Sequence, residues 1–270
     1  ITRVTGPMAA LGVVVVGCGR MGTIHACNLA RLPGVQVVAV VDPVPAATEA
    51  LGAKLREMGS DPACYGELTA EVFAAHPGIF AVAITTTSSA HLPAILASAA
   101  AGKHIFVEKP VCATVSEAQA CLAAVEAAKV VLQVGFMRRY DSDFAEVQRI
   151  VAAGGVGKVQ MVRVRSFDGF KQPTEYYRSS GGLYLDMACH DLDMARFISG
   201  LEVESVVVNG SVTVDPAFAD FGDIDTSTIS LKFANGALGV VENLRFATYG
   251  HDTQVEVVGS LGSVASGPNA

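Results

Sequence analysis

The chain has 270 residues, 51% hydrophobic and 17% charged. That composition excludes disorder and supplies apolar mass for two cores at roughly 150 residues per domain. Lys and Arg total 19 against 26 Asp and Glu, and the net charge of −7 argues against a sequence-independent grip on nucleic acid.

In chain order, Arg3 and the apolar stretch up to Cys18 imitate a secretion signal ending in a lipid-accepting cysteine. The residues after Cys18, GRMGTIHACNLARL, are helical rather than the polar tether such a signal needs. The run GVVVVG at 12–17 is β-branched and too short for a helix, as expected of a strand buried on both faces. A helix is predicted over 23–32, stopped by Pro33-Gly34, then a strand over 35–42 and a helix over 46–58 with Gly59 as its stop. A third strand at 79–85, a helix at 90–101 ended by Gly102 and a fourth strand at 104–108 follow. Ser116 and Gln119 read as a capping box opening a helix to about Lys129, before a fifth strand at 130–135. This alternation through short connections predicts a parallel sheet covered on both faces.

After Gly135 the apolar period changes to two. Segments 159–167, 203–214, 225–246 and 253–265 alternate apolar and polar residues, and the last two carry glycine-containing turns such as Asn235-Gly236. An open, largely antiparallel sheet is predicted, with one face wet or covered by helix. A single helix at 183–199, closed by Gly200, lies among these strands. The linker falls near 133–140, giving expected domains at 1–133 and 134–270.

Gly17, Gly19 and Gly22 form G-x-G-x-x-G between a predicted strand and helix. The first glycine permits the tight turn, the second lets backbone approach a pyrophosphate, and the third lets helix and strand pack closely. The helix N-terminus then offers free N–H groups and a positive dipole end to the phosphates. Asp42 ends the next strand, where a carboxylate accepts hydrogen bonds from an adenosine ribose and repels a 2′-phosphate. NAD is therefore expected, with NADP disfavoured.

Lys109, in Glu108-Lys109-Pro110, follows the fourth strand at the carboxyl end of the sheet, where open α/β folds bind ligands. Pro110 keeps Lys109 out of helical torsions. The lysine reads equally as a ligand contact or as a surface partner of Glu108. On the second-half helix, Asp186 and His190 are four apart and Asp193 is seven from Asp186, so all three project from one face. A carboxylate one turn from an imidazole is a general-base arrangement. A helical salt-bridge face and a divalent-metal set are the rival readings; no further ligand motif supports the metal. Cys189 points about 100° away from His190 round the helix, against a Cys–His nucleophile. Arg138-Arg139 face either a crevice or solvent, Tyr249 touches a ligand or packs, and His91 lies near the cofactor side. His25, His76, His104 and His251 read as structural or surface residues.

Cys18, Cys27, Cys64, Cys112, Cys121 and Cys189 are scattered without C-x-x-C spacing, which argues against a zinc site and a disulfide framework and fits a reducing, cytoplasmic compartment. Mean hydropathy is +0.42, yet Gly, Pro or a charge interrupts every apolar stretch before the ~18 residues a spanning helix needs.

GCGRMGTIHACNL, VVDPV, GKHIFVEKP, QVGFMRRYD and GGLYLDMACHDLDMARF together resemble the Gfo/Idh/MocA oxidoreductases, most closely their inositol 2-dehydrogenase-like branch. The resemblance covers nearly the whole chain. It implies an N-terminal doubly wound Rossmann domain, a C-terminal α+β domain whose open sheet serves oligomerisation, and NAD-dependent oxidation of a cyclitol or sugar hydroxyl. A homo-oligomer, dimer or tetramer, is expected. By position, Lys109, Asp186 and His190 are the implied catalytic set, with His190 as acid/base, Asp186 orienting it and Lys109 polarising the substrate oxygen. Cofactor contacts are expected from Gly17, Gly19, Arg20, Met21, Gly22, Asp42, Thr86, His91, Glu108 and Lys109. Substrate contacts are expected from Lys109, Arg138, Asp168, Asp186, His190, Asp193 and Tyr249.

Two departures stand out. Ser166-Phe167-Asp168-Gly169 replaces the S-R-D-P common in inositol enzymes, so the substrate-facing loop differs. The chain also begins at Ile1 and stops at Ala270, where members continue through a further helical segment, so a trimmed polypeptide is expected. The rival functions are a sensing regulator on the same fold and a metal-dependent hydrolase.

Overall fold

The computed structural model describes residues 10–267, apart from the side chain of Ser179. The expectation concerning Arg3 lies outside them. The chain divides between Gly135 and Phe136 into two compact units.

The first unit is a six-stranded parallel sheet in the order β3-β2-β1-β4-β5-β6, the doubly wound arrangement in which ligands lie beyond the carboxyl ends of the strands. Its strands are β1 (Leu11–Val16), β2 (Val35–Val41), β3 (Ala63–Tyr65), β4 (Ile79–Ile84), β5 (His104–Val107) and β6 (Leu132–Val134). Its helices are α1 (Arg20–Ala30), α2 (Pro45–Glu57), α3 (Ala70–Ala75), α4 (His91–Ala100) and α5 (Val115–Ala128). Every valine of β1 is buried, because helices cover both faces of the sheet. Each such side chain contributes about 1.5–3 kcal/mol on leaving water.

Two details differ from the sequence expectation. The α5 cap is Thr114 with Glu117, not Ser116 with Gln119: Thr114 Oγ1 accepts from the Glu117 N–H, and Glu117 reaches back to the Thr114 N–H. The short β3 and α3 are additions, since neither carries a strong periodic signal in the sequence. At the other end of α5, Lys129 takes φ +56°, a left-handed stop without glycine.

The second unit holds a six-stranded sheet in the order β12-β11-β7-β10-β9-β8. Its strands are β7 (Val159–Phe167), β8 (Val203–Ser211), β9 (Thr226–Phe233), β10 (Leu238–Leu244), β11 (Asp252–Gly259) and β12 (Gly262–Ser266). Pairing is antiparallel except between β7 and β10, which run the same way with Phe167 opposite Leu244. The inner face of the sheet packs against α6 (Ser142–Ala152) and α8 (Cys189–Ser199) through Phe144, Val147, Met194 and Ile198. α6 escapes the sequence reading, which allows one helix in this half. Its apolar stripe of Phe144, Val147 and Val151 is short, but Asp141 caps it by accepting from the N–H groups of Asp143 and Phe144. Short helices α7 (Thr174–Ser179) and α9 (Ala217–Asp220) complete the unit.

The predicted helix at 183–199 is two pieces: a π-helical turn over Tyr184–Ala188 and then α8, which Gly200 ends at φ +67°. A four-residue step advances about 400° in an α-helix and somewhat under a full turn in a π-turn, so Asp186 and His190 stay on one side. No helix among the described residues is long and apolar enough to cross a membrane.

Candidate active site

In the first unit the turn after β1 is built for close backbone approach. Gly17 takes φ +93°, and a Cβ on Gly22 would collide with the Gly17 carbonyl oxygen. Thr85 Oγ1 donates to the carbonyls of both Val16 and Gly17, pinning the turn to the end of β4. A Cβ on Gly19, by contrast, would meet nothing within 4 Å. Gly19 is also the N-cap of α1 and provides no side-chain cap, so the first-turn N–H groups remain for an anion. Arg20 and Met21 open that helix.

Asp42 braces this loop: one carboxylate oxygen accepts from the Cys18 N–H at 2.8 Å and the other from the Val44 N–H at 2.9 Å. Burial and the neighbouring Asp42 carboxylate push the Cys18 thiol up to about 12, so it stays protonated and inert. Beside Asp42 lies a cavity of about 270 Å³ lined by Pro43, Leu68, Thr86, Ala90 and Pro93 among others. A mainly apolar slot next to a carboxylate suits an adenosine, and an open, uncapped glycine turn suits its pyrophosphate. The residues present therefore fit NAD.

The sequence places His91 among the cofactor contacts. Its ring is 1% exposed, with Nδ1 2.9 Å from the Pro110 carbonyl oxygen and Nε2 3.2 Å from that of Thr86. Its part is thus to brace the ends of β4 and β5 rather than to offer its ring to a ligand. His25, which reads as structural or surface, instead reaches Glu108, with Nε2 2.6 Å from Oε1. Glu108 Oε2 in turn accepts from the Lys109 N–H at 3.3 Å, and the Lys109-Pro110 peptide is cis.

In the second unit, polar residues replace apolar ones on the inner face of the sheet at one end. Ser166, Ser227, Asn243 and Arg245 are all at most 2% exposed, continuing the inward positions held by valine, leucine or isoleucine further along β7, β9 and β10. Asp186 Oδ2 receives the Arg245 Nη1 donor at 2.6 Å and Oδ1 the Tyr176 hydroxyl at 2.9 Å. His190, 6% exposed, meets the Phe136 ring edge-on at 6.1 Å between centroids.

Arg138 and Asp193, both expected at the substrate, are committed to partners. Arg138 donates through Nη1 to Asp191 and to Ser166 Oγ. Asp191, fully buried, also accepts from Ser166 at 2.7 Å and Asn243 at 2.6 Å. Burial pushes its carboxyl upward against the opposing pull of Arg138 and these donors. Asp193 takes two donors from Arg139, at 2.8 and 2.6 Å, while that guanidinium lies over the Phe197 ring. These pairs fix the Met137–Tyr140 turn to α8.

Asp168, just past β7, lies 3.8 Å from His251 Nδ1, and burial pushes its carboxyl upward. Tyr249, 67% exposed, donates to Asp252 at 3.0 Å. Sequence reasoning misses Arg245, Tyr176 and His25. The available signal for Arg245 is a basic residue at an inward position of a period-two strand.

Comparison with known proteins agrees with both units. Residues 11–136 match the model described as "Oxidoreductase family, NAD-binding Rossmann fold", and residues 144–265 match the "GFO/IDH/MocA C-terminal domain". The chain is 40% identical to the uncharacterized oxidoreductase YrbE of Bacillus subtilis, over 93% of this chain and 72% of that protein. It is 38% identical to the myo-inositol 2-dehydrogenase of Thermotoga maritima, over 93% of this chain and 73% of the relative. Among solved structures, scyllo-inositol dehydrogenase from Lactobacillus casei with bound NAD(H) and scyllo-inositol superposes with a TM-score of 0.83 at 27% identity, covering 95% of this chain and 76% of that one. With both halves matched in order, the chain belongs to the Gfo/Idh/MocA family of NAD-binding oxidoreductases.

Proposed function

We propose that the chain oxidises a secondary hydroxyl of an inositol or a closely related cyclitol. The observation that carries this reading is the Asp186 carboxylate, fixed by Arg245 and Tyr176 one helical turn before His190, in a chain this similar to inositol dehydrogenases. NAD, when bound, supplies the hydride acceptor. His190 takes the hydroxyl proton, and Asp186 orients the imidazole and favours the protonated ring that results. Lys109 polarises the substrate oxygen, so that charge left on oxygen as the proton departs is stabilised. Asp168 and Tyr249 are the further substrate contacts of this reading; Arg138 and Asp193 serve it by holding the Met137–Tyr140 turn.

The test is a screen for absorbance at 340 nm over cyclitols and aldoses, with NAD and NADP side by side. Turnover of an inositol with NAD is expected, and Lys109→Ala or His190→Ala removes most of it while NAD binding persists. Undiminished turnover in both variants rejects the roles of Lys109 and His190. Six free thiols support a reducing, cytoplasmic compartment. Exposed Val206, Val207 and Val208 on the edge strand β8 support a homo-oligomer, to be measured by analytical ultracentrifugation.

A further inference from the structure

We infer that Arg245 is the positioning residue of this site, acting with Tyr176 to set the orientation and the effective charge of the Asp186 carboxylate. The inference rests on the proposed role of Asp186 and His190 and deepens it.

Arg245 follows the last residue of β10 and is 2% exposed. Its backbone N–H donates to the Asp225 carbonyl at 2.8 Å, which fixes where the side chain starts. The Tyr177 ring lies under the guanidinium, 5.0 Å from its centroid. Nη1 is 2.6 Å from Asp186 Oδ2, and Nη2 faces Asp223 Oδ2 at 3.6 Å. Asp223 Oδ1 meanwhile accepts from the Leu183 N–H at 3.0 Å. The π-turn carrying Asp186 is therefore held at two points: at its N-cap Leu183 by Asp223, and at its middle residue Asp186 by the cation that Asp223 also faces.

A carboxylate free to rotate would favour His190 as an acceptor in only part of its rotamers. Here both oxygens have a donor, one cationic and one phenolic, and burial of Tyr176 together with the Asp186 charge keeps that phenol protonated. Charged and titratable groups near Asp186 include Arg245 just past β10 and Tyr176 from α7, which both bond to it, and Asp168 past β7; Asp223 past α9 faces Arg245, and His190 follows four residues along the same helix. Asp168 in turn feels the charges of His251, Arg245 and Arg138 as well as that of Asp186. Arg245 is a cation in direct contact with the carboxylate. It offsets part of the negative field that Asp186 exerts on the His190 ring, so its removal makes the imidazolium more favourable.

The experiment uses the whole chain with NAD, in wild type and in Arg245→Gln, Arg245→Lys and Tyr176→Phe. Two readouts are taken: steady-state oxidation of myo- and scyllo-inositol, and the titration of the His190 ring followed by ¹⁵N NMR, assigned by its loss in His190→Gln. In Arg245→Gln, kcat is expected to fall roughly 100-fold while NAD affinity stays within about twofold of wild type. The His190 midpoint moves to higher pH. Arg245→Lys restores the midpoint and at least part of kcat; Tyr176→Phe moves both in the same direction by less.

A His190 midpoint unmoved in Arg245→Gln overturns the inference. Should that variant not fold, Tyr176→Phe decides by the same midpoint, since Tyr176 is 41% exposed and its loss leaves the core intact. A wild type that oxidises no cyclitol, yet whose His190 midpoint responds to Arg245, overturns the proposed function and leaves the positioning role standing.

Discussion

His25 on α1 and Glu108 at the end of β5 are 83 residues apart in sequence and 2.6 Å apart in space, with the imidazole tilted against the Phe106 ring. The pair ties the helix that begins at the glycine turn to the segment that presents Lys109. Replacing His25 by Phe keeps the ring packing and removes the hydrogen bond. The expected outcome is a fall in kcat of about tenfold, since a small misplacement of a positioned group is enough for that. The melting temperature changes little. Steady-state kinetics and a thermal melt check both; unaltered kcat means the pair does not position Lys109.

Gly19 and Gly22 make a contrasting pair. Gly22→Ala forces a Cβ into the Gly17 carbonyl, so loss of more than about 4 kcal/mol, or of soluble protein, is expected. Gly19→Ala puts a methyl into open space, at φ −71° where alanine is comfortable. That protein folds normally and loses NAD affinity, because the methyl occupies the path of a pyrophosphate. Calorimetric titration with NAD beside a denaturant melt separates the two.

Asp42→Ala removes the carboxylate that accepts from Cys18 and Val44. Weaker NAD binding and a narrower ratio of NAD to NADP turnover are expected, together with about 1–2 kcal/mol of destabilisation from loosening the loop. Side-by-side titration with the two dinucleotides provides the measurement. An unchanged ratio means the carboxylate has no part in selecting between them.

Asp225 is fully buried and accepts from the N–H groups of Thr213, Val214 and Asp215, each at 2.8 Å. Burial opposes its ionisation, but these donors and Thr226 outweigh it and hold the carboxyl below its ordinary value. An acid depressed on folding stabilises above its unfolded value of about 3.9 and loses that contribution as pH falls through the folded value. Asp225→Asn should cost about 2 kcal/mol or more at neutral pH, with the difference from wild type shrinking as pH drops below about 4. Urea melts between pH 3 and 7 test this, and a difference that grows toward acid contradicts it.

The doubly wound half is legible because its signals are local. A valine run, a glycine turn and an acid at the end of the next strand all fall within about thirty residues. The helix bearing Asp186 and His190 is legible by spacing alone, although the π-turn inside it is not. What escapes depends on contacts distant in sequence: Arg245 with Asp186, Asn243 with Asp191, His25 with Glu108. The shifted α5 cap arises from two nearby Ser/Thr candidates, decided by which one has an acid three residues on: Thr114 with Glu117. Arg138 and Arg139 are undecidable from sequence because their partners, Asp191 and Asp193, alternate with His190 and Leu192 on a helix whose rotation only packing sets.

The parallel run of β7 beside β10 has a consequence for how this scaffold can diversify. Both strands exit at the same rim, where the Asp168 N–H donates to Leu244 and the Ala247 N–H donates back to Asp168. Two loops remote in sequence thereby become neighbours anchored by main-chain bonds, which no side-chain change removes. Their sequences can drift, or be exchanged as a matched cassette between relatives, while the ladder beneath keeps its alignment. If Asp168 and Tyr249 contact substrate as proposed, new alcohol preferences are reachable without renegotiating the fold.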